Sequence, residues 1–163
     1  MNRIYRIIAV AFVIAGNAIP AFACGPAPAE DYAKTERRVR ERFDSVDSVV
    51  LVTLLDARQV SKIEMGIDLP GEKSIFRVDR VFKGRAKPGD KLILTTYSTC
   101  ANYVVKKWEG SNRPVIWSRR WLIYRNESET QMPPHDMAQP IDLATFDVKV
   151  LPVLARAHRD KSR

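Results

Sequence analysis

The sequence predicts a mainly β fold, a small barrel or sandwich with one helix near each end of the chain. Three observations indicate this class. Several short runs rich in Val, Leu and Ile are separated by turns that contain Pro and Gly, as in small all-β domains. One run loses its alternation by a single residue, which is typical of a β-bulge. Helix-forming segments lie near the two ends of the predicted domain.

The first half of the predicted domain contains a helix and then a buried strand. Residues 32–43 (YAKTERRVRERF) are rich in helix-forming residues, with Val39 and Phe43 near one face. Residues 47–60 (DSVVLVTLLDARQV) are too continuously apolar for a surface strand, so they predict a strand that is buried. Pro70–Gly71 follows in a polar segment and predicts a turn.

The most regular segment is SIFRVDRVFKG at residues 74–84. Phe76 and Val78 alternate with charged residues, but Arg80 then occupies the position at which the next apolar residue is expected. A slip of one residue predicts a β-bulge, which bends a strand and helps a sheet to close. We therefore expect Phe76, Val78 and Val81 to face the core.

The second half of the domain alternates strand-like runs with turns. Pro88–Gly89 predicts a type II turn before a strand over residues 91–98, and Gly110–Pro114 predicts the turn of a hairpin. Residues 127–140 (ESETQMPPHDMAQP) predict a polar, Pro-rich loop. The remaining segment predicts a short strand and then a helix that begins at Pro152, because Pro suits a first helical turn.

Residues 1–23 have the three-part layout of a secretory signal peptide: a basic head, a short apolar run and Ala21–Ala23. The apolar run is shorter than the roughly 20 residues that cross a bilayer, so we expect no transmembrane span after cleavage. Cleavage after Ala23 predicts a soluble, secreted or periplasmic product that begins at Cys24. The alternative is a lipid anchor on Cys24, but Phe22 fits a lipoprotein signal poorly.

Removal of residues 1–23 lowers the formal charge from +8 to +6, a moderate excess that favours acidic glycans or anionic lipid surfaces as partners. Nucleic acid is disfavoured, because an exported protein rarely meets it. Basic and aromatic residues mix in one part of the chain, as on stacking platforms, although a half-buried strand produces the same mixture. These candidate surface residues are Lys106, Lys107, Trp108, Arg113, Trp117, Arg119, Arg120 and Trp121.

Two cysteines remain after cleavage, Cys24 and Cys100. In an oxidising compartment their simplest use is one disulfide, and the alternative is two separate thiols, one of them lipidated. The two histidines, His135 and His158, are distant in sequence and predict no metal site with the cysteines. The sequence contains no G-x-S-x-G, H-E-x-x-H or Gly-rich phosphate loop, so we expect neither an enzyme nor a cofactor.

The order of several motifs resembles the netrin-like domain that is shared with the tissue inhibitors of metalloproteinases. A cysteine at the predicted mature N-terminus precedes a Val-rich strand, a Phe-x-Val-x-x-Val-Phe-Lys-Gly motif and a Pro-Gly-Asp turn. A Thr-rich strand then leads into Cys-Ala, and Trp-Leu-Ile-Tyr follows. The matching segments are Cys24, residues 49–57, 76–84 and 87–96, Cys100–Ala101 and residues 121–124.

This resemblance implies a five-stranded OB-type barrel with flanking N- and C-terminal helices in a netrin-like domain at residues 24–163. The part of the chain from about residue 126 does not match the inhibitors' second domain. The resemblance also implies a disulfide between Cys24 and Cys100.

In the inhibitors, the amine and carbonyl of the first cysteine bind the zinc ion of a target protease. The resemblance therefore implies a protein partner, a zinc metalloprotease, that contacts Cys24 and Gly25. The inhibitors place a side chain at the second position in the protease's specificity pocket, and Gly25 has none. We expect a non-enzymatic binding module that inhibits zinc metalloproteases weakly at most.

Overall fold

Seven strands and two helices follow one another in the computed structural model, which describes residues 36–97, 104–109 and 113–161. The order confirms a mainly β fold with a helix near each end. The elements are α1 (Glu36–Ser45), β1 (Ser48–Glu64), β2 (Ile67–Lys83), β3 (Lys91–Tyr97), β4 (Val105–Glu109), β5 (Arg113–Ile116), β6 (Arg120–Arg125), β7 (Ala138–Pro140) and α2 (Thr145–Lys161).

Five of the strands form one antiparallel sheet in the order β3-β2-β1-β6-β7. Strands β4 and β5 form a separate two-stranded sheet, which confirms the hairpin predicted around residues 110–114. The long β1–β2 hairpin is the centre of the main sheet. In the described part of the chain, no helix is both long and apolar enough to cross a membrane.

Strand β1 is buried on both faces along its first half, as its continuous apolar run predicted. Val49 and Leu51 pack in a cluster with the two helices, whereas Val50 and Val52 pack in a second cluster on the opposite side of the sheet. Successive side chains of a strand point to opposite faces. A strand between two cores must therefore be apolar at every position, and not only at alternate positions.

The predicted bulge in β2 is confirmed. Val52 pairs with Val78 and Leu51 pairs with Arg80, so Asp79 is the extra residue on this strand. Phe76 and Val78 are buried, and the half-buried Val81 packs in the same cluster. The pairing of β1 with β2 shifts register at two further places, and each shift adds to the bending of the sheet.

The free edge of β3 meets the segment that precedes β7. The amide of Thr95 donates to the carbonyl of Thr130 at 2.9 Å, and the amide of Met132 donates to the carbonyl of Thr95 at 3.0 Å. These bonds form an isolated parallel bridge between Thr95 and Gln131. Strands β3 and β7 are the two edge strands of the sheet. The short segment from Gln131 to β7 therefore connects one edge of the sheet with the other.

The turn predicted at Pro70–Gly71 is wrong, because this pair lies within β2 and the hairpin turns at Met65–Gly66. Both turn residues have positive φ, 52° and 78°. Pro70 is tolerated because β3 pairs with β2 only from Gly71 onwards, so the Pro70 nitrogen faces no described strand on that side. Gly71 is required because a Cβ there would come 2.6 Å from Cδ1 of Tyr97.

Two predictions for the C-terminal part are also wrong. The helix begins at Thr145 and not at Pro152, which lies inside α2. Residues 141–161 contain no strand, and β7 forms instead within the segment predicted as a loop. β7 is a strand because its three residues are buried against β6, a long-range pairing that its polar, Pro-rich composition does not indicate.

Candidate binding surface

Three of the predicted site residues, Cys24, Gly25 and Cys100, lie outside the described residues. The Cys24–Cys100 disulfide and the contact of Cys24 and Gly25 with a protease zinc ion therefore remain predictions. Among the residues that the structure describes, no group of three His, Cys, Asp or Glu side chains could hold a metal ion.

The predicted basic and aromatic surface is divided in the structure. Lys106 lies over the ring of Trp117, with Nζ 5.4 Å from the ring centroid, and both side chains are exposed. Trp121 belongs instead to the core, and its indole N–H donates to the carbonyl of Ser118 at 2.8 Å. Successive side chains of β6 point to opposite faces of the sheet. Arg120 is therefore exposed while the next residue, Trp121, is buried.

The structure describes the side chains of only some of the other residues predicted for that surface. Arg120, the first residue of β6, and Arg119 directly before it are exposed. The side chains of Lys107, Trp108 and Arg113 lie outside the described part of the chain, although the backbone of all three belongs to the β4–β5 hairpin.

The register of the main sheet brings a different set of bases together. Arg120 of β6 pairs with Thr53 of β1, Thr53 pairs with Arg77 of β2, and Arg77 pairs with Lys91 of β3. Residues that pair directly lie on the same face of a sheet. Four neighbouring strands thus carry one row with three cations, which spans about 14 Å at the usual spacing between strands.

A second basic row lies four residues along the strands, at a distance of about 13 Å. It contains Arg58 of β1 and Lys73 of β2, which are paired and exposed. Between the two rows lies an aliphatic strip made of Ile75 and its partner Ile93, which is exposed, and Asp56 of β1 pairs with Ile75 on the other side. We call the two basic rows and this aliphatic strip the outer sheet face.

Two carboxylates reduce the charge of this face. Asp79 accepts hydrogen bonds from Thr53 Oγ1 at 2.5 Å and from Arg77 Nη2 at 3.0 Å. Asp56 accepts one from Arg58 Nε at 2.6 Å. The remaining bases of the two rows, Lys73, Lys91 and Arg120, form no ion pair within the described residues. The outer sheet face therefore keeps a net positive charge.

Beyond the second row, the ring of Tyr97 lies across Gly71, its partner on β2. Lys62 of β1 places its Nζ 4.8 Å from the centroid of that ring. This cation–π contact holds a further positive charge near the outer sheet face. It also engages the one aromatic ring that we find on the described part of this face.

The helices cover the other half of the same sheet surface and are held there by a buried polar network. Asp147 of α2 accepts hydrogen bonds from Tyr124 Oη at 2.6 Å and from Arg42 Nη2 at 2.7 Å. Burial raises the pKa of the Asp147 carboxyl, while the hydrogen bond from Tyr124 and the charge of Arg42 oppose the increase. Since Asp147 is fully covered, the network positions the helices and is closed to a ligand.

The sequence did not indicate the bases at positions 58, 73, 77 and 91, because they are scattered over three strands and each alternates with apolar residues. The outward direction of Arg77 could be predicted from that alternation, but its neighbours could not. No model of a known protein family matches the chain. A search of curated proteins finds no match either.

Proposed function

We propose that this chain is an exported, non-enzymatic binding module of the netrin-like type, whose outer sheet face binds an acidic glycan. The observation that carries the proposal is the pair of basic rows on either side of an aliphatic strip. Carboxylate or sulfate groups of a glycan would pair with the bases, and the C–H faces of its sugar rings would cover Ile75 and Ile93.

Two features of the face favour a glycan over a nucleic acid. Single-stranded nucleic acids bind largely by stacking their bases on aromatic side chains. The strip between the basic rows is aliphatic, and Tyr97 already contacts Lys62 and Gly71. An exported protein also meets acidic glycans more often than nucleic acids.

The arrangement of strands supports the OB-type part of the proposal. Five antiparallel strands have their two edges brought together through the bridge of Thr95 with Gln131, and OB folds are partly open five-stranded barrels. Such barrels bind oligosaccharides and oligonucleotides on the face of their second and third strands. Lys73, Arg77 and Lys91 lie on β2 and β3 of this chain.

The test compares two double variants of equal charge on immobilised heparin, eluted with a salt gradient. Lys73→Glu/Lys91→Glu reverses two charges of the outer sheet face, whereas Arg38→Glu/Arg156→Glu reverses two exposed charges on the helices. We expect the first variant to elute at clearly lower salt than the second, because local ion pairs add to the effect of net charge.

Equal elution of the two variants would contradict a site on the sheet. Competition experiments with a carboxylated glycan, single-stranded DNA and anionic vesicles identify the chemical class of the partner. Stronger competition by DNA or by vesicles than by the glycan would replace the glycan with that class.

Metalloprotease inhibition is a second candidate, and it is supported by the position of Cys24 directly after Ala21–Ala23. An α-amine titrates near pH 8, so a fraction of the Cys24 amine is unprotonated at neutral pH and can bind zinc. Since Gly25 fills no pocket, we expect weak inhibition at most. The test is a dose–response against zinc proteases, and an alanine added before Cys24 should abolish inhibition because it converts the amine into an amide.

A further inference from the structure

The β1–β2 hairpin extends beyond the described strands that pair with it, so a long edge of β1 is open within the described part of the chain. Strand β6 pairs with β1 only as far as Thr53, and the last main-chain bond on this side joins the Leu54 amide to the Arg119 carbonyl at 2.7 Å. From Leu55 to Glu64, no described strand pairs with this edge. Its main-chain amides and carbonyls can therefore accept another strand.

The end of this hairpin is also unusually apolar for an exposed position. Met65 is 96% exposed, Ile63 is 80% exposed and Ile67 is 62% exposed. Exposed apolar residues beside an open strand edge are typical of a surface that is covered by a partner.

We infer that this edge pairs with the same edge of a second copy of the chain, as an antiparallel dimer with its two-fold axis at Ser61. Paired residues of a ladder lie on the same face, so a symmetric pairing has to be centred on a residue. With the centre at Ser61, Arg58 of each copy faces Glu64 of the other. The dimer then contains two opposite-charge pairs across its interface.

The neighbouring registers are disfavoured by like charges. With the centre at Val60, Arg58 faces Lys62 and Asp56 faces Glu64. With the centre at Lys62, the two Lys62 side chains face each other. Within one copy, Lys62 already pairs with Glu64 at 2.7 Å. The Ser61 register adds Arg58 of the second copy to that pair, so each Glu64 faces two cations.

The same register places the turn that contains Met65 of the second copy near Ala57, beside a cavity of about 130 Å³. A methionine side chain is flexible and adapts to irregular spaces, so contact at this cavity would reduce the exposure of Met65. The dimer joins the two hairpins into a four-stranded antiparallel sheet. The cavity is lined by Leu54, Leu55, Asp56, Ala57, Pro114, Ile116 and Arg119.

The first test is disulfide trapping in the exported protein, under mild oxidation. In the inferred dimer the two Ser61 residues face each other at about 4.5–5.5 Å between Cβ atoms, so Ser61→Cys should form a covalent dimer. Gln59→Cys is the matched control. Its two copies would lie about 13 Å apart along the strands, which is too far for a disulfide. Equal trapping of the two variants would overturn the inference.

The second test is sedimentation equilibrium of charge variants over a range of concentrations. Arg58→Glu and Glu64→Arg each place two like-charge pairs in the interface, so each should weaken dimerisation by about tenfold or more. The double variant Arg58→Glu/Glu64→Arg restores opposite charges and should restore the dimer. A wild-type monomer at every concentration, or a double variant as weak as the single ones, would overturn the inference. Circular dichroism confirms that each variant is folded.

Discussion

Glu72 should be one of the most sensitive positions for the stability of this fold. The side chain is 2% exposed and accepts hydrogen bonds from three groups of the described residues. Glu72 Oε1 accepts hydrogen bonds from Ser74 Oγ at 2.7 Å and from the Val104 amide at 3.1 Å. Glu72 Oε2 accepts one from the Val105 amide at 3.1 Å. Through these bonds a carboxylate on β2 fixes the start of β4, and with it the hairpin that carries Lys106.

Replacing Glu72 with alanine would leave two main-chain amides buried without an acceptor, because Val104 and Val105 are fully covered. Each unsatisfied buried group costs about 1–3 kcal/mol, so Glu72→Ala should lower the free energy of unfolding by about 2–6 kcal/mol. Glu72→Gln keeps the shape and one acceptor oxygen, and it should lose about 1–3 kcal/mol.

The measurement is urea unfolding of the purified protein, with Lys73→Ala as a control at the exposed neighbouring position, where we expect a change within about 0.5 kcal/mol. A Glu72→Ala midpoint equal to that of Lys73→Ala would refute the argument. Equal losses in the Ala and Gln variants would show that the hydrogen bonds do not decide the cost.

Three further predictions concern the core, the sheet and the pH dependence of stability. Val78→Asp places an unpaired carboxylate in the core, where Val78 of β2 is buried beside Val52 of β1, and should abolish soluble folded protein. Normal expression with a native near-UV spectrum would contradict the strand assignment. Gly71→Ala brings a Cβ to 2.5 Å from the carbonyl oxygen of Thr96 and should lower the free energy of unfolding by about 1–3 kcal/mol. The shift of the urea midpoint measures this loss, and an unchanged midpoint would show that Tyr97 and its neighbours move freely. Burial raises the pKa of Asp147, so the folded chain holds this proton more tightly than the unfolded chain. The free energy of unfolding should therefore fall as the pH rises from the unfolded pKa through the folded one; Asp147→Asn should remove that part of the slope, and an unaltered slope would contradict the assignment.

Several parts of the fold follow from local chemistry that the sequence contains. The uninterrupted apolar run of β1 required burial on both faces, since each face of a strand needs its own apolar partners. The one-residue slip after Val78 indicated a bulge, because alternation along a strand has a period of two and cannot otherwise change phase. The hairpin of β4 and β5 was predictable from its turn residues.

Other features depend on contacts between distant parts of the chain, and these only the tertiary structure decided. Pro70–Gly71 has the composition of a turn, yet the pairing of β1 with β2 carries the strand past it and the ring of Tyr97 occupies the space above the glycine. Strand β7 exists because β6 offers it an edge. Glu72 became a buried acceptor through amides more than thirty residues away along the chain.

The same distinction holds for the binding surfaces. The sequence alone determined the excess of basic residues and the outward direction of those that alternate along a strand. It did not determine which bases share a row, because register sets the neighbours across strands and depends on the bulges, the Met65–Gly66 turn and the packing of both cores. Side-chain alternation is a local property of a strand, whereas a row across four strands is a property of their relative positions.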